Sequence, residues 1–235
     1  MKLPSFNPYL GNNTQPMGLS RYLDGLLTNM GTLLLCNLYF LLCCIPIITI
    51  GPSLLALNKV CTMLVRGKSV HATRDFFDAF RKNFKAGIVI TFTVVPVLLW
   101  NAYMMLVYLL IYLQTGEGML HCCLFLFMYI FVSTFSMYLI SLLVHLKANF
   151  YTTLRNTVLC CMIGKGSTIF GGISTAVLIL AGPLCMPASV PLLLLIYFSF
   201  VMYHVGFFSW KVMDKHIFAP YYEEHPEEAE ADGYC

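Results

Sequence analysis

The chain has 235 residues, 59% of them hydrophobic and only 11% charged, with a mean hydropathy of +0.76. A soluble globule usually carries about a quarter charged residues, so this composition leaves too little polar surface and excludes a water-soluble fold. Fourteen Lys and Arg against eleven Asp and Glu give a net charge of +3, which lends no support to nucleic-acid binding; the information lies in where the charges fall.

Crossing a bilayer core of roughly 30 Å takes about 20 mainly apolar residues in a helix. The apolar runs lack the alternation of barrel strands, so helices are expected. Five runs qualify, at about 29–50, 87–113, 119–146, 168–185 and 189–210. A polar stretch with Asn12, Asn13 and Gln15 precedes the first run and no small-residue cleavage site follows it, so it is expected to remain as an anchor. Leu19 to Leu27 forms a weaker amphipathic stretch, expected at the interface.

Pro46, Gly51 and Pro52 interrupt the first apolar region, and Ser53 is placed to cap a new helix over 54–65. That piece is about 20 Å long and holds Asn58 and Lys59. A central Lys costs about 3 kcal/mol on insertion scales, so the piece reads as lying at the cytoplasmic face, with five spans and an external N-terminus. If it crosses, there are six spans and the N-terminus is internal. The last two runs are joined by a turn containing Gly182, Pro183, Pro187 and Pro191, which makes them a helical hairpin.

The expected fold class is all-α: a polytopic transmembrane helical bundle of about five spans, a short broken helix and a cytoplasmic amphipathic helix. It forms one domain over 1–219. Residues 220–235 contain six of the eleven acids and read as an acidic disordered tail. Lys59, Arg66, Lys68, Arg74, Arg81, Lys82 and Lys85 outnumber Asp75 and Asp78 before the second run, and Lys147, Arg155 and Lys165 have no acid between the third and fourth. The intervening link has only Glu117, and Lys211 and Lys215 follow the last run. This alternation puts the C-terminus in the cytoplasm, with the chain multi-pass in a plasma membrane.

Residues 72–86 read ATRDFFDAFRKNFKA, and at 100° per residue Phe76, Phe77, Phe80 and Phe84 share one arc, with Arg74, Arg81, Lys82 and Lys85 opposite. Three uses fit this pattern: a helix lying in the plane of an anionic leaflet, a face packed on the protein's own spans, and a docking surface for a partner.

Spacing argues against chemistry elsewhere. Of ten cysteines, Cys43–Cys44, Cys122–Cys123 and Cys160–Cys161 are adjacent, and no C-x-x-C occurs. They read as small buried hydrophobes rather than metal ligands or disulfides. Gly164-Lys165-Gly166-Ser167-Thr168 lacks the Ser or Thr directly after the Lys and the earlier Gly of a phosphate loop, and reads as a turn with Ser167 starting a helix. The intramembrane polar residues are Asn37, Asn101, His145 and His204. Asn37 and Asn101 are placed to bond across helices. His145 sits near an interface, and His204 lies deep with no intramembrane acid beside it. No converging carboxylates, His-rich cluster or Ser-His-Asp set marks an enzyme, so neither catalytic residues nor a metal or other cofactor are expected.

Cys36-Asn37-Leu38, then Pro46-Ile47-Ile48-Thr49-Ile50-Gly51-Pro52-Ser53, Ala56-Leu57, Arg66-Gly67 and Phe76-Phe77-Asp78-Ala79-Phe80-Arg81-Lys82-Asn83-Phe84-Lys85 follow one another in an order and spacing that resembles the YesL-like family of bacterial membrane proteins. The likeness covers most of residues 17 to 90; beyond that it lies in hydropathy and span count. Asn58-Lys59 and the acidic tail depart from the pattern. The resemblance implies association with ABC-type carbohydrate uptake and no catalytic residues. It points to a non-enzymatic accessory or regulatory protein whose partners are the lipid bilayer and an ABC-type sugar permease, with the Phe-faced helix as the docking or membrane-sensing element and Pro46, Thr49, Gly51 and Pro52 as the family turn. The alternative is a small transporter or channel with Asn37, Asn101 and His204 lining a polar path, although no internal repeat supports it.

Overall fold

The computed structural model describes residues 18–146, 150–184, 190, 193–224 and 227. Those residues form an all-α bundle with no strand among them. Helix α1 (Leu19–Thr28) and helix α2 (Met30–Cys43) meet at Asn29 with a bend of 71°, and the Asn29 amide donates to the Gly25 carbonyl at 2.7 Å. The first apolar run is therefore not one helix over 29–50. Helix α2 stops at Cys43 because Pro46 disfavours helical backbone in the residue before it and supplies no N–H.

A 3-10 turn at Ile47–Thr49 leads into α3 (Ile50–Val65). This helix begins four residues ahead of the start expected at Leu54, and Ser53 is not its cap. The Ser53 hydroxyl instead donates to the Thr49 carbonyl at 2.6 Å. Pro52 is tolerated because the first-turn N–H groups have no partner inside the helix.

Helix α4 (Ala72–Lys82) is separated from α5 (Phe84–Thr115) by Asn83, so the helix expected over 72–86 is broken and Phe84 opens the long span. Helix α6 (Met119–His145) returns antiparallel to α5 through Gly116 and Gly118, whose φ values of 75° and 86° suit glycine. Helix α7 (Phe150–Ile163) occupies what hydropathy marks only as a basic link, and α8 (Lys165–Leu184) follows. Helix α9 (Phe198–Met213) is flanked by wide π turns at Leu193–Tyr197 and Asp214–Phe218, and α10 (Ala219–Glu224) closes the described chain apart from Glu227. The first residues of the expected disordered tail are thus helical. The rest of that tail, and the Pro/Gly turn of the expected last hairpin beyond 184, lie outside the described residues apart from Val190 and Glu227.

Among the described residues four stretches are long and apolar enough to cross a membrane: Ile47–Val65, Phe84–Thr115, Met119–His145 and Lys165–Gly182. The bent α1–α2 pair makes five if counted as one span. Phe92, Leu99, Trp100 and Tyr103 on α5 are each more than half exposed, the surface expected where a helix meets lipid rather than water.

Helix α3 is the most enclosed of the long stretches, packed by α2, α4, α5, α6 and α9. Both its ends meet the same end of the α5–α6 hairpin. Gly51 packs on Gly87 near the start of α5, while Lys59 and Arg66 share a cavity with His145, the last residue of α6. Helix α3 therefore lies across that end of the hairpin. The same end gathers α4, Lys211 and Lys215, which makes it the basic end of the bundle.

Candidate functional site

Helix α4 is held by its aromatic side. Phe76 is fully buried in the core, and Phe77 and Phe80 pack against it. Tyr39 of α2 meets Phe76 and Phe77 with ring centroids 6.0 and 5.5 Å apart, and its hydroxyl lies 2.9 Å from Thr73 Oγ1. Phe84, now on α5, pairs with Phe80 at 5.6 Å. The Phe face thus packs on the protein's own helices α2 and α3. Arg74, Arg81, Lys82 and Lys85 remain exposed, and a loose pair from Arg74 to Asp78 at 3.9 Å is too exposed to contribute much.

The turn motif is architectural. Thr49 Oγ1 donates towards the Cys43 and Pro46 carbonyls at 2.5 and 2.6 Å, closing the chain around Pro46. Gly51 then meets Gly87 backbone to backbone: a Cβ at Gly51 would strike the Gly87 carbonyl oxygen, and one at Gly87 would strike Pro52. Small residues permit such contact between helices. The Gly51 N–H donates to Thr91 Oγ1 at 2.8 Å, tying the start of α3 to α5.

Asn37, Asn101 and His204 do not converge. Asn37, fully buried on α2, donates from Nδ2 to the Leu194 carbonyl at 2.8 Å and accepts from the Ser199 N–H at 3.1 Å. Those two backbone groups are five residues apart, where the π turn opens the helical ladder. Asn37 fills that opening. Among the described residues Asn101, half-buried on α5, donates only to the Val97 carbonyl of its own helix at 3.1 Å, in place of the expected bond across helices. His204 joins three helices. Its Nε2 is 2.7 Å from Ser174 Oγ on α8 and its Nδ1 3.3 Å from the Tyr22 hydroxyl on α1. Ser174 also donates to the Phe170 carbonyl at 2.6 Å. With its one proton so placed, the hydroxyl accepts from Nε2–H, and Nδ1 accepts from Tyr22. Both partners of the ring are neutral.

A cavity of about 370 Å³ lies between α3, α5, α6, α8 and α9, walled mainly by aliphatic groups such as Leu54, Val94, Leu98 and Val201. Its size falls among small-molecule sites. Few polar groups reach it, and the Ser133 hydroxyl has no partner among the described residues. Such a lining accepts apolar matter and has little means of orienting a polar solute. The eight described cysteines are free thiols, with Cys36, Cys61 and Cys160 buried.

The turn, the α3–α5 contact and the basic helix all fall in one region of recognisable sequence. Residues 33–112 match the model of the DUF624 family. That family is described as a protein of unknown function, and YesL-like proteins belong to it. The match runs from within α2 almost to the end of α5, further than the motifs alone reach. No curated protein and no solved structure matches the chain.

Proposed function

We propose that this integral membrane protein is a non-enzymatic accessory or regulatory component of ABC-type carbohydrate uptake, docking through the cationic side of α4. The observation that carries the reading is the division of labour on that helix. Its aromatic face is buried against α2 and α3, so the helix is rigidly placed, and Arg74, Arg81 and Lys82 are left facing outward. A fixed row of exposed cations suits an acidic partner surface, where charge sets orientation and association rate. The DUF624 domain supports the membrane-protein class, and the YesL-like motif order supplies the link to carbohydrate uptake. Asn37 and His204 have their polar groups engaged by neighbouring helices and Asn101 stands apart, which gives the polar-path alternative no support.

The test is affinity purification from native membranes in mild detergent, with mass spectrometry of whatever co-purifies. The control carries Arg74→Ser, Arg81→Ser and Lys82→Ser, which leave the buried Phe side untouched. Stoichiometric recovery of a carbohydrate-permease subunit, lost in the control, is the expected result. Recovery of this protein alone, or of the subunit equally with the control, overturns the reading.

A further inference from the structure

The geometry points to a phosphate-binding pocket at the basic end, formed where α3 turns back against the end of α6 and the C-terminal aromatics. The cavity is about 210 Å³ and is lined by Lys59, Arg66, Lys68, His145, Trp210 and Tyr222, with Met63 and Phe218 completing it. It is smaller than a typical whole-ligand site, so it suits a headgroup-sized anion.

Local rules of the chain build it. Lys59, Met63 and Arg66 fall at i, i+4 and i+7, on one side of α3. Gly67 then takes φ 74°, its N–H bonding the Leu64 carbonyl at 2.9 Å, and the Lys68 N–H bonds the Met63 carbonyl at 3.0 Å. This glycine-dependent helix stop folds the chain back and brings Lys68 beside Arg66. It also gives the Arg66-Gly67 step of the family pattern a physical reason. On the facing wall the π turn at Asp214–Phe218 aligns Phe218 with Trp210, stacked at 4.9 Å, and Tyr222 follows at 6.2 Å from Phe218. The Arg66 guanidinium lies 4.4 Å over the Trp210 ring, which fixes its plane beside the cavity.

His145 supplies the discriminating group. Its Nδ1 lies 2.8 Å from the Ser141 carbonyl and must donate there, so in the neutral ring Nε2 holds a lone pair. That atom is buried and has no hydrogen-bond partner among the described residues. A ligand satisfying the whole pocket offers anionic oxygens to the cations and an O–H to Nε2. A phosphate adjoining a hydroxyl has that chemistry. Lys59, Arg66 and Lys68 also make other contacts, so the phosphate joins an existing network.

Such a phosphate comes either from a lipid headgroup or from a soluble ester, and one experiment separates them. The chain has two tryptophans, and Trp100 is 59% exposed on α5, so Trp100→Phe leaves Trp210 as the sole reporter. The purified full-length protein in neutral detergent micelles is titrated with phosphatidylglycerol in one arm and glycerol 3-phosphate in the other. Phosphatidylcholine and chloride at matched ionic strength are the blanks. A saturable change in Trp210 emission is expected in at least one arm, about tenfold weaker in Lys59→Gln/Arg66→Gln, as loss of charge-assisted bonds dictates. Response to lipid alone identifies a headgroup, and response to the ester identifies a soluble ligand. Lys68→Gln, altered beyond the end of α3, weakens binding even if the double variant does not fold. No saturable response in either arm overturns the proposal, as does a response undiminished in Lys68→Gln.

Discussion

Asn37 and Ser199 are 162 positions apart in the chain and share one structural unit: the side chain of the first completes the backbone ladder of the second. Ser199 returns the contact, its hydroxyl donating to the Leu33 carbonyl at 2.7 Å. Removing Asn37 leaves the buried Ser199 N–H and the part-buried Leu194 C=O without this side-chain partner.

Asn37→Leu is therefore expected to destabilise the folded bundle by about 2 kcal/mol, read as a lower thermal midpoint in detergent. If Asn37 lined a transport path instead, the substitution would leave the midpoint unchanged.

Gly87→Ala places a methyl against the Pro52 backbone, where neither side has a flexible group to move. A loss of about 1–3 kcal/mol is expected, roughly 3–10 °C for a chain of this size. Gly31→Ala, with nothing within 4 Å of the added carbon, serves as the control and is expected to hold or raise the midpoint. Equal midpoints for the two variants would remove the close α3–α5 contact as a source of stability.

Asn58 is fully buried on α3, yet neither atom of its amide has a hydrogen-bond partner among the described residues, and the Thr62 hydroxyl one turn later is in the same condition. A buried amide in that state costs free energy without return. Asn58→Leu, similar in shape, is expected to raise the thermal midpoint by an amount equivalent to about 1–2 kcal/mol. A fall would reveal a water or other polar group that the amide holds.

Much of the basic end is legible in the sequence. The Phe76, Phe77 and Phe80 spacing shows an amphipathic helix, because a 3.6-residue period is a local property. Pro46 and Gly51 announce a turn for the same reason. Hydropathy cannot say whether a Phe face meets lipid, a partner or the chain itself, since each is apolar; only the position of α2 and α3 decides. Asn37 is visible as an expensive residue, but its partner depends on a π turn far along the chain. Helix α7 escapes notice because Arg155, Asn156 and its threonines lower the hydropathy of a helix that buries only one side. His145 and Lys59 look unrelated in sequence and meet only because α3 lies across the hairpin end.

That placement of α3 also bears on how the protein is made. Of the helices that enclose it, α4, α5, α6 and α9 are all synthesised later, and α9 last of all. Gly206 of α9 comes against Thr62, and the Cys61 thiol donates to the Ser199 carbonyl at 3.6 Å. Until α9 emerges from the ribosome, α3 has no complete berth, and the side of it that carries Cys61 and Thr62 stays uncovered. Assembly thus finishes from the C-terminal side, and a chain arrested before residue 198 lacks the helix that closes over α3.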